Sequence, residues 1–136
     1  MIRERIIVLD FGGQFNQLIA RRVRELGVFC EVLPFDTPVS EYADAQLRGI
    51  ILTGGPDSVH GENAPTCPSE VFEAGVPVLG ICYGMHLITH MLGGRTQQAQ
   101  TAEYGLTRFT SGNHPLLKGV TPTSIVWMSH RDQVIR

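Results

Sequence analysis

The chain has 136 residues, of which 43% are apolar and 18% charged, and a formal net charge of −2. This length suits one globular domain with its own core. The interspersed, nearly balanced charge argues against nucleic acid as a partner, and no apolar run is long enough to span a membrane. The N-terminus shows no signal-peptide pattern. Three cysteines without a CxxC pair favour a reducing, cytoplasmic setting and indicate no metal site.

Strand and helix patterns alternate through the first two thirds of the chain. Residues 5–10 form a nearly continuous β-branched run, which is typical of a buried parallel strand. A helix with one apolar stripe is predicted from about residue 14 to residue 26, where Gly27 ends it. Further strands are predicted at 28–33, 49–53, 76–79, 96–102, 104–110 and 124–128, and further helices at 42–47, 68–74 and from residue 83 to the Gly93-Gly94 pair.

This alternation predicts an α/β fold in three layers, with a mostly parallel sheet and helices on both faces. In such sheets the ligand site lies beyond the carboxyl ends of the strands. Glycine-bearing loops follow three of the predicted strands at that edge. We therefore expect Gly12-Gly13, Gly54-Gly55 and Cys82 to converge there, although they lie far apart in the sequence.

The pentapeptide Gly80-Ile81-Cys82-Tyr83-Gly84 lies between an apolar strand and a helical pattern. A nucleophile flanked at two residues by small side chains, at a turn from strand to helix, is the pattern of a nucleophile elbow. Glycine is needed at Gly80 and Gly84 because the two positions crowd together. The helix that begins beside Cys82 places partial positive charge near the sulfur. The alternative, a small buried core cysteine, explains neither glycine.

A cysteine that attacks a carbonyl also needs donors for the oxyanion and a general base. The backbone N–H of Tyr83 follows the nucleophile, and Gly54-Gly55 offers a second donor. His86 lies one helical turn after Cys82, which favours a place in the pocket wall. His130, two residues before Asp132, is either the remainder of a triad or part of a loop that holds substrate.

These motifs together resemble the class I (triad) glutamine amidotransferase family, whose fold is flavodoxin-like. The elbow alone indicates the amidotransferase class. Three other motifs point to one branch of the family more specifically than the elbow does. They are Asp-Phe-Gly-Gly-Gln, Arg-Arg-Val-Arg-Glu-Leu-Gly and Trp-Met-Ser-His. The stretches that carry the resemblance are residues 8–14, 20–27, 49–58, 75–84 and 127–130.

The resemblance implies that Cys82 attacks the side-chain amide of glutamine and releases ammonia by way of a glutamyl thioester. It implies that the backbone amides of Gly55 and Tyr83 form the oxyanion hole. No cofactor is expected in this domain. Ammonia would pass to an ATP-pyrophosphatase (synthetase) domain or subunit that uses ATP and Mg to aminate XMP to GMP. Residues expected to contact glutamine are Gly54, His86, Ser129 and His130.

The chain also departs from the family pattern. The family's catalytic base and its orienting acid lie in a His-Pro-Glu motif downstream of Ser129-His130, and the sequence ends at Arg136 without one. We therefore expect residues 1–136 to be a partial amidotransferase domain, without its last strands and without the ATP-pyrophosphatase domain. Little turnover is expected from it alone. An exposed sheet edge would favour self-association into a homo-oligomer. Position 86 is often glutamine in the family.

Three other hypotheses remain at this point. The chain can serve as an amidotransferase domain in a different pathway. It can be a cysteine hydrolase with the same elbow but another ester or amide substrate. It can also be a non-catalytic module that docks to a synthetase subunit, although a scaffold has no need for a strained turn.

Overall fold

The computed structural model describes residues 3–55, 63–121 and 123–134, and for most of the last two strands it describes the backbone alone. The chain divides into two compact units. The first reaches from the N-terminus to Thr96 and takes in Val134, and the second comprises Gln97–Gln133. No helix in the described ranges has the length and apolar character needed to cross a membrane.

The first unit is built on a four-stranded sheet with the order β2-β1-β3-β4. All its strand pairings are parallel. In the central strand β1, for example, Ile7 pairs with Glu31 of β2 on one side and with Ile50 of β3 on the other. This confirms the predicted parallel sheet of an α/β fold. The strands are β1 (Arg5–Asp10), β2 (Phe29–Pro34), β3 (Leu47–Leu52) and β4 (Val78–Gly80).

Two helices, α1 (Asn16–Glu25) and α2 (Tyr83–Met91), cover opposite faces of this sheet. Successive side chains of a strand point to opposite faces, which separates the core into two clusters. Ala20 of α1 packs in the cluster that contains Val8. Leu87 of α2 packs in the larger cluster, whose fully buried members include Ile7, Leu9, Ile50, Leu52 and Val71. The predicted three-layer arrangement is confirmed.

Two predicted helices are shorter than expected. In place of helices at 42–47 and 68–74, the structure has single 3-10 turns at Val39–Glu41 and Ser69–Glu73, each preceded by a proline. Leu47 belongs to β3 because its side chain is buried and it pairs with Arg5 of β1. Within the predicted glycine- and proline-bearing loop, residues 56–62 lie outside the described part of the chain.

The second unit contains a two-stranded sheet formed by β5 (Thr96–Thr110) and β6 (Thr123–Val134), with a 3-10 turn at Pro115–Leu117 between them. The sequence predicted two short strands where β5 runs without a break. It also predicted that the last strand ends at Met128, whereas β6 continues through Ser129 and His130. The break is predicted at Glu103, where the pairing of the β5 backbone with β6 continues the strand.

We predict that Gly84→Ala lowers the free energy of unfolding by at least about 1–3 kcal/mol, the usual cost of overpacking. A Cβ at Gly84 would collide with the Leu52 carbonyl, whose carbon lies 2.7 Å away. Neither backbone can move without separating α2 from β3. Urea denaturation checks this. The matched control is Gly112→Ala, since a Cβ there meets nothing within 4 Å. Equal stability of the two variants would contradict the packing described.

A second prediction concerns Cys67, which lies buried with Val71 in the larger cluster. Burial raises the pKa of the Cys67 thiol from 9.0 to about 11. Folding therefore favours the protonated thiol, and this stabilisation is complete below about pH 9 and is lost as the pH rises through about 11. We expect Cys67→Ala to reduce the fall in unfolding free energy over that range. Val71→Ala should lower stability at every pH without changing the slope; an unchanged slope in Cys67→Ala would contradict the prediction.

Candidate active site

Cys82 lies at the turn between β4 and α2 with φ 52° and ψ −114°, a backbone conformation that L-residues rarely adopt. Its side chain is exposed. The crowding predicted for the two flanking glycines is present, because a Cβ at Gly80 would lie 2.7 Å from the carbonyl carbon of Gly84. The strand therefore turns sharply into the helix, and Cys82 lies at the carboxyl edge of the sheet, as predicted.

Hydrogen bonds fix this turn from both sides. The N–H of Ile81 donates to the Leu52 carbonyl at 2.9 Å, and the N–H of Gly84 donates to the Thr53 carbonyl at 3.0 Å. On the helical side, the carbonyl of Cys82 accepts from the N–H of Met85 at 3.0 Å. The unusual φ of Cys82 is thus held by β3 and by the first turn of α2 together.

The three predicted loops converge at this edge. A Cβ placed on Gly54 would lie 3.2 Å from Cβ of Cys82 and 3.9 Å from its Sγ. A Cβ on Gly55 would lie 2.5 Å from the Phe11 carbonyl oxygen, and one on Gly13 would lie 2.5 Å from the Gly54 carbonyl oxygen. At Gly13, Gly54 and Gly55, atoms of the neighbouring loops occupy the space that a side chain would need. The predicted convergence of these loops is confirmed.

The backbone of Tyr83 lies next to Cys82, whereas its side chain is buried in the core. It is the first residue of α2, so its N–H lies at the positive end of the helix, next to the nucleophile. Its ring is buried 5.5 Å from the ring of Phe11, and its hydroxyl donates to the Pro65 carbonyl at 2.5 Å. The side chain therefore anchors the helix. The roles of Tyr83 and Gly55 as oxyanion donors stay predictions.

The remaining predicted site residues are placed as follows. His86 is buried in α2, and its N–H donates to the Cys82 carbonyl at 3.2 Å, so it lies one turn behind the nucleophile. Its contact with substrate stays a prediction. Ser129 and His130 lie in β6 of the second unit, not in a loop, and their side chains are outside the described part of the chain. Their contact with glutamine likewise stays a prediction.

Sequence reasoning missed a polar cluster at the ends of β1 and β3. Oδ1 of Asp10 accepts from the N–H of Gly12 at 2.7 Å and from Nδ2 of Asn16. The fully buried Thr53 accepts from the N–H of Phe11 through Oγ1 at 3.1 Å. An aspartate at the end of a strand, followed two residues later by a glycine, is typical of a turn in which the aspartate side chain accepts from the backbone. Asp10 and Gly12 show this pattern in the sequence.

The two other cysteines differ from Cys82 in burial. Cys30 and Cys67 are buried, and burial raises the pKa of each thiol above its ordinary value. Both are held as neutral thiols at neutral pH, and Cys82 is the exposed cysteine of the three. Within residues 3–55, 63–121 and 123–134, no three His, Cys, Asp or Glu side chains cluster as a metal site would require.

Comparison with known proteins identifies the family of the chain. The family described as "Glutamine amidotransferase class-I" matches residues 7–136. The chain is 55% identical over 135 residues to "GMP synthase [glutamine-hydrolyzing]" of Caldicellulosiruptor saccharolyticus, with 98% of this chain and 26% of the relative covered. The protein of the same name from Caldanaerobacter subterraneus is 53% identical over 133 residues, with 97% and 26% covered. The chain thus spans about a quarter of these relatives' length.

Solved structures show the same fold. A putative GMP synthase subunit from Thermoplasma acidophilum aligns with a TM-score of 0.79 at 27% identity, covering 99% of this chain and 68% of that one. A glutamine amidotransferase from Thermotoga maritima aligns with a TM-score of 0.71 at 18% identity, covering 99% and 64%, and supports the fold alone. Since the family match extends over nearly the whole sequence and includes the elbow, the chain belongs to the class-I glutamine amidotransferase family.

Proposed function

We propose that this chain is the glutamine-hydrolysing part of a GMP synthase. The observation that carries the proposal is the backbone of Cys82, held at φ 52° between β4 and α2 with the Gly54 backbone beside its sulfur. The names of relatives that are 55% and 53% identical supply the pathway. The geometry supplies the chemistry, which is nucleophilic attack on a carbonyl.

The reaction follows from the positions of these groups. Sγ of Cys82 attacks the side-chain amide carbon of glutamine, and negative charge develops on the amide oxygen. The N–H groups of Gly55 and Tyr83 stabilise that charge, the second with help from the α2 dipole. The C–N bond breaks, the nitrogen takes the proton that the Cys82 thiol gave up and leaves as ammonia, and a glutamyl thioester remains. Water then cleaves the thioester, which releases glutamate and restores the thiol.

The strained backbone favours this activity over a docking role. A non-glycine residue at positive φ persists only where the surrounding structure enforces it, and such residues cluster at functional sites. Here Gly80 and Gly84 leave room for the turn, and the carbonyls of Leu52 and Thr53 hold it in place. A module that served only to bind another domain would gain nothing from exposing a cysteine in this way.

The fate of ammonia is part of the proposal. The curated relatives are about four times as long as this chain, which covers 26% of them. We infer that ammonia passes to an ATP-pyrophosphatase domain or subunit, where ATP and Mg support amination of XMP to GMP. His86, Ser129 and His130 are proposed to contact glutamine, as the family resemblance implies.

We predict that 6-diazo-5-oxo-L-norleucine, an electrophilic analogue of glutamine, alkylates Cys82 and leaves Cys30 and Cys67 unmodified. Cys82 is exposed at the elbow, and the other two thiols are buried. Peptide mapping by mass spectrometry locates the adduct. Excess glutamine should protect Cys82, and asparagine, shorter by one methylene, should protect it much less.

The matched controls are Cys82→Ala, which should abolish labelling, and Cys30→Ala, which should leave labelling at Cys82 in place. An adduct on Cys30 or Cys67 but not on Cys82 would overturn the assignment of the nucleophile. Labelling of Cys82 without protection by glutamine would instead favour a cysteine hydrolase of different specificity.

A further inference from the structure

The hydroxyl of Thr53 bridges two of the loops that meet at Cys82. Its Oγ1 accepts from the N–H of Phe11 at 3.1 Å and donates to the Gly54 carbonyl oxygen at 3.1 Å. The residue is fully buried at the end of β3. A hydroxyl has one donor hydrogen and two acceptor lone pairs, so both bonds form at once.

The second of these bonds fixes the orientation of one peptide group. The carbonyl of Gly54 and the N–H of Gly55 belong to the same planar trans peptide, and in such a unit they point in opposite directions. The carbonyl is directed to the Thr53 hydroxyl and lies against Gly13. The N–H of Gly55 is therefore directed away from both. Glycine on each side of this peptide offers little steric resistance of its own to rotation, so the hydrogen bond, together with the packing against Gly13, sets the orientation.

We propose that Thr53 is a positioning residue that aims the N–H of Gly55 at the oxyanion. The inference rests on the proposed glutaminase function. Thr53 also contacts the turn that carries Cys82, because the backbone carbonyl of Thr53 accepts a hydrogen bond from the N–H of Gly84 at 3.0 Å. One buried residue thus holds the elbow by its backbone and the oxyanion loop by its side chain, without contacting substrate.

The test compares Thr53→Val and Thr53→Ser in the full chain. Valine keeps the size of threonine but lacks the hydroxyl, whereas serine keeps the hydroxyl. The probe is 6-diazo-5-oxo-L-norleucine, whose ketone oxygen takes the place of the amide oxygen of glutamine. Sγ of Cys82 first adds to the ketone carbon, which places negative charge on that oxygen. The terminal carbon takes the thiol proton, and the sulfur then moves to it as N₂ leaves and the ketone re-forms. The inactivation kinetics give an apparent binding constant and a maximal rate, and iodoacetamide reports the reactivity of the same thiol without a glutamine pocket.

We expect the maximal labelling rate of Thr53→Val to fall about 10- to 100-fold, somewhat less than the loss typical of deleting an oxyanion donor. The apparent binding constant and the iodoacetamide rate should stay within about threefold, because the loss lies in charge stabilisation. Thr53→Ser should restore the rate. Thr37→Val is the matched control, since Thr37 is also buried and its hydroxyl donates to a backbone carbonyl, that of Pro34 at 2.7 Å.

Rates refer to the folded fraction measured by circular dichroism, and Thr53→Ala replaces Thr53→Val if the valine variant does not fold. Equal labelling of Thr53→Val and wild type would overturn the inference. A parallel fall in the iodoacetamide rate would also overturn it, because it would show that Thr53 maintains the elbow and not the donor. Failure of the proposed function is distinct: wild-type Cys82 would then show no protection by glutamine.

Discussion

The close approach of α2 to the end of β3 governs the geometry of the whole site. Where Gly84 lies against the Leu52 carbonyl, the helix is so near the sheet that no side chain fits between them. The chain must then pass from β4 to α2 through only two residues, Ile81 and Cys82, and Cys82 takes the positive φ that this demands. The position of the helix N-terminus next to Cys82 follows from that close approach.

The chain's three cysteines differ in burial according to their place in the fold. Cys30 and Cys67 lie in the two core clusters on opposite faces of the sheet, where desolvation raises the pKa of each thiol. Cys82 lies at the edge of the sheet, beyond the last residue of β4 and outside both clusters. The exposed thiol is therefore separated from the two buried ones by its place in the topology and not only by its neighbours.

Much of the first unit follows from the sequence. Continuous β-branched runs predicted β1 and β3, and the spacing of Gly80 and Gly84 around Cys82 predicted the elbow. Contacts between distant segments were harder. Leu47 was assigned to a helix because its burial against β1 does not show in local pattern. The hydroxyl of Thr53 was overlooked because its partners, Phe11 and Gly54, meet only in the folded chain. In the second unit, pairing between β5 and β6 extended strands past the ends that local propensity suggested.

The segment between Gly54 and Pro65, which follows β3, is attached to the elbow at both of its ends. Gly54 lies near Cys82. At the other end, the Pro65 carbonyl accepts a hydrogen bond from the hydroxyl of Tyr83, the residue after Cys82. Both attachments are to the same turn of the protein, so the distance between them does not depend on the number of residues that join them. Lengthening a loop whose ends are already fixed costs little, about 0.6 kcal/mol for each doubling. Evolution can therefore vary the length and composition of this segment while the geometry around the sulfur is kept.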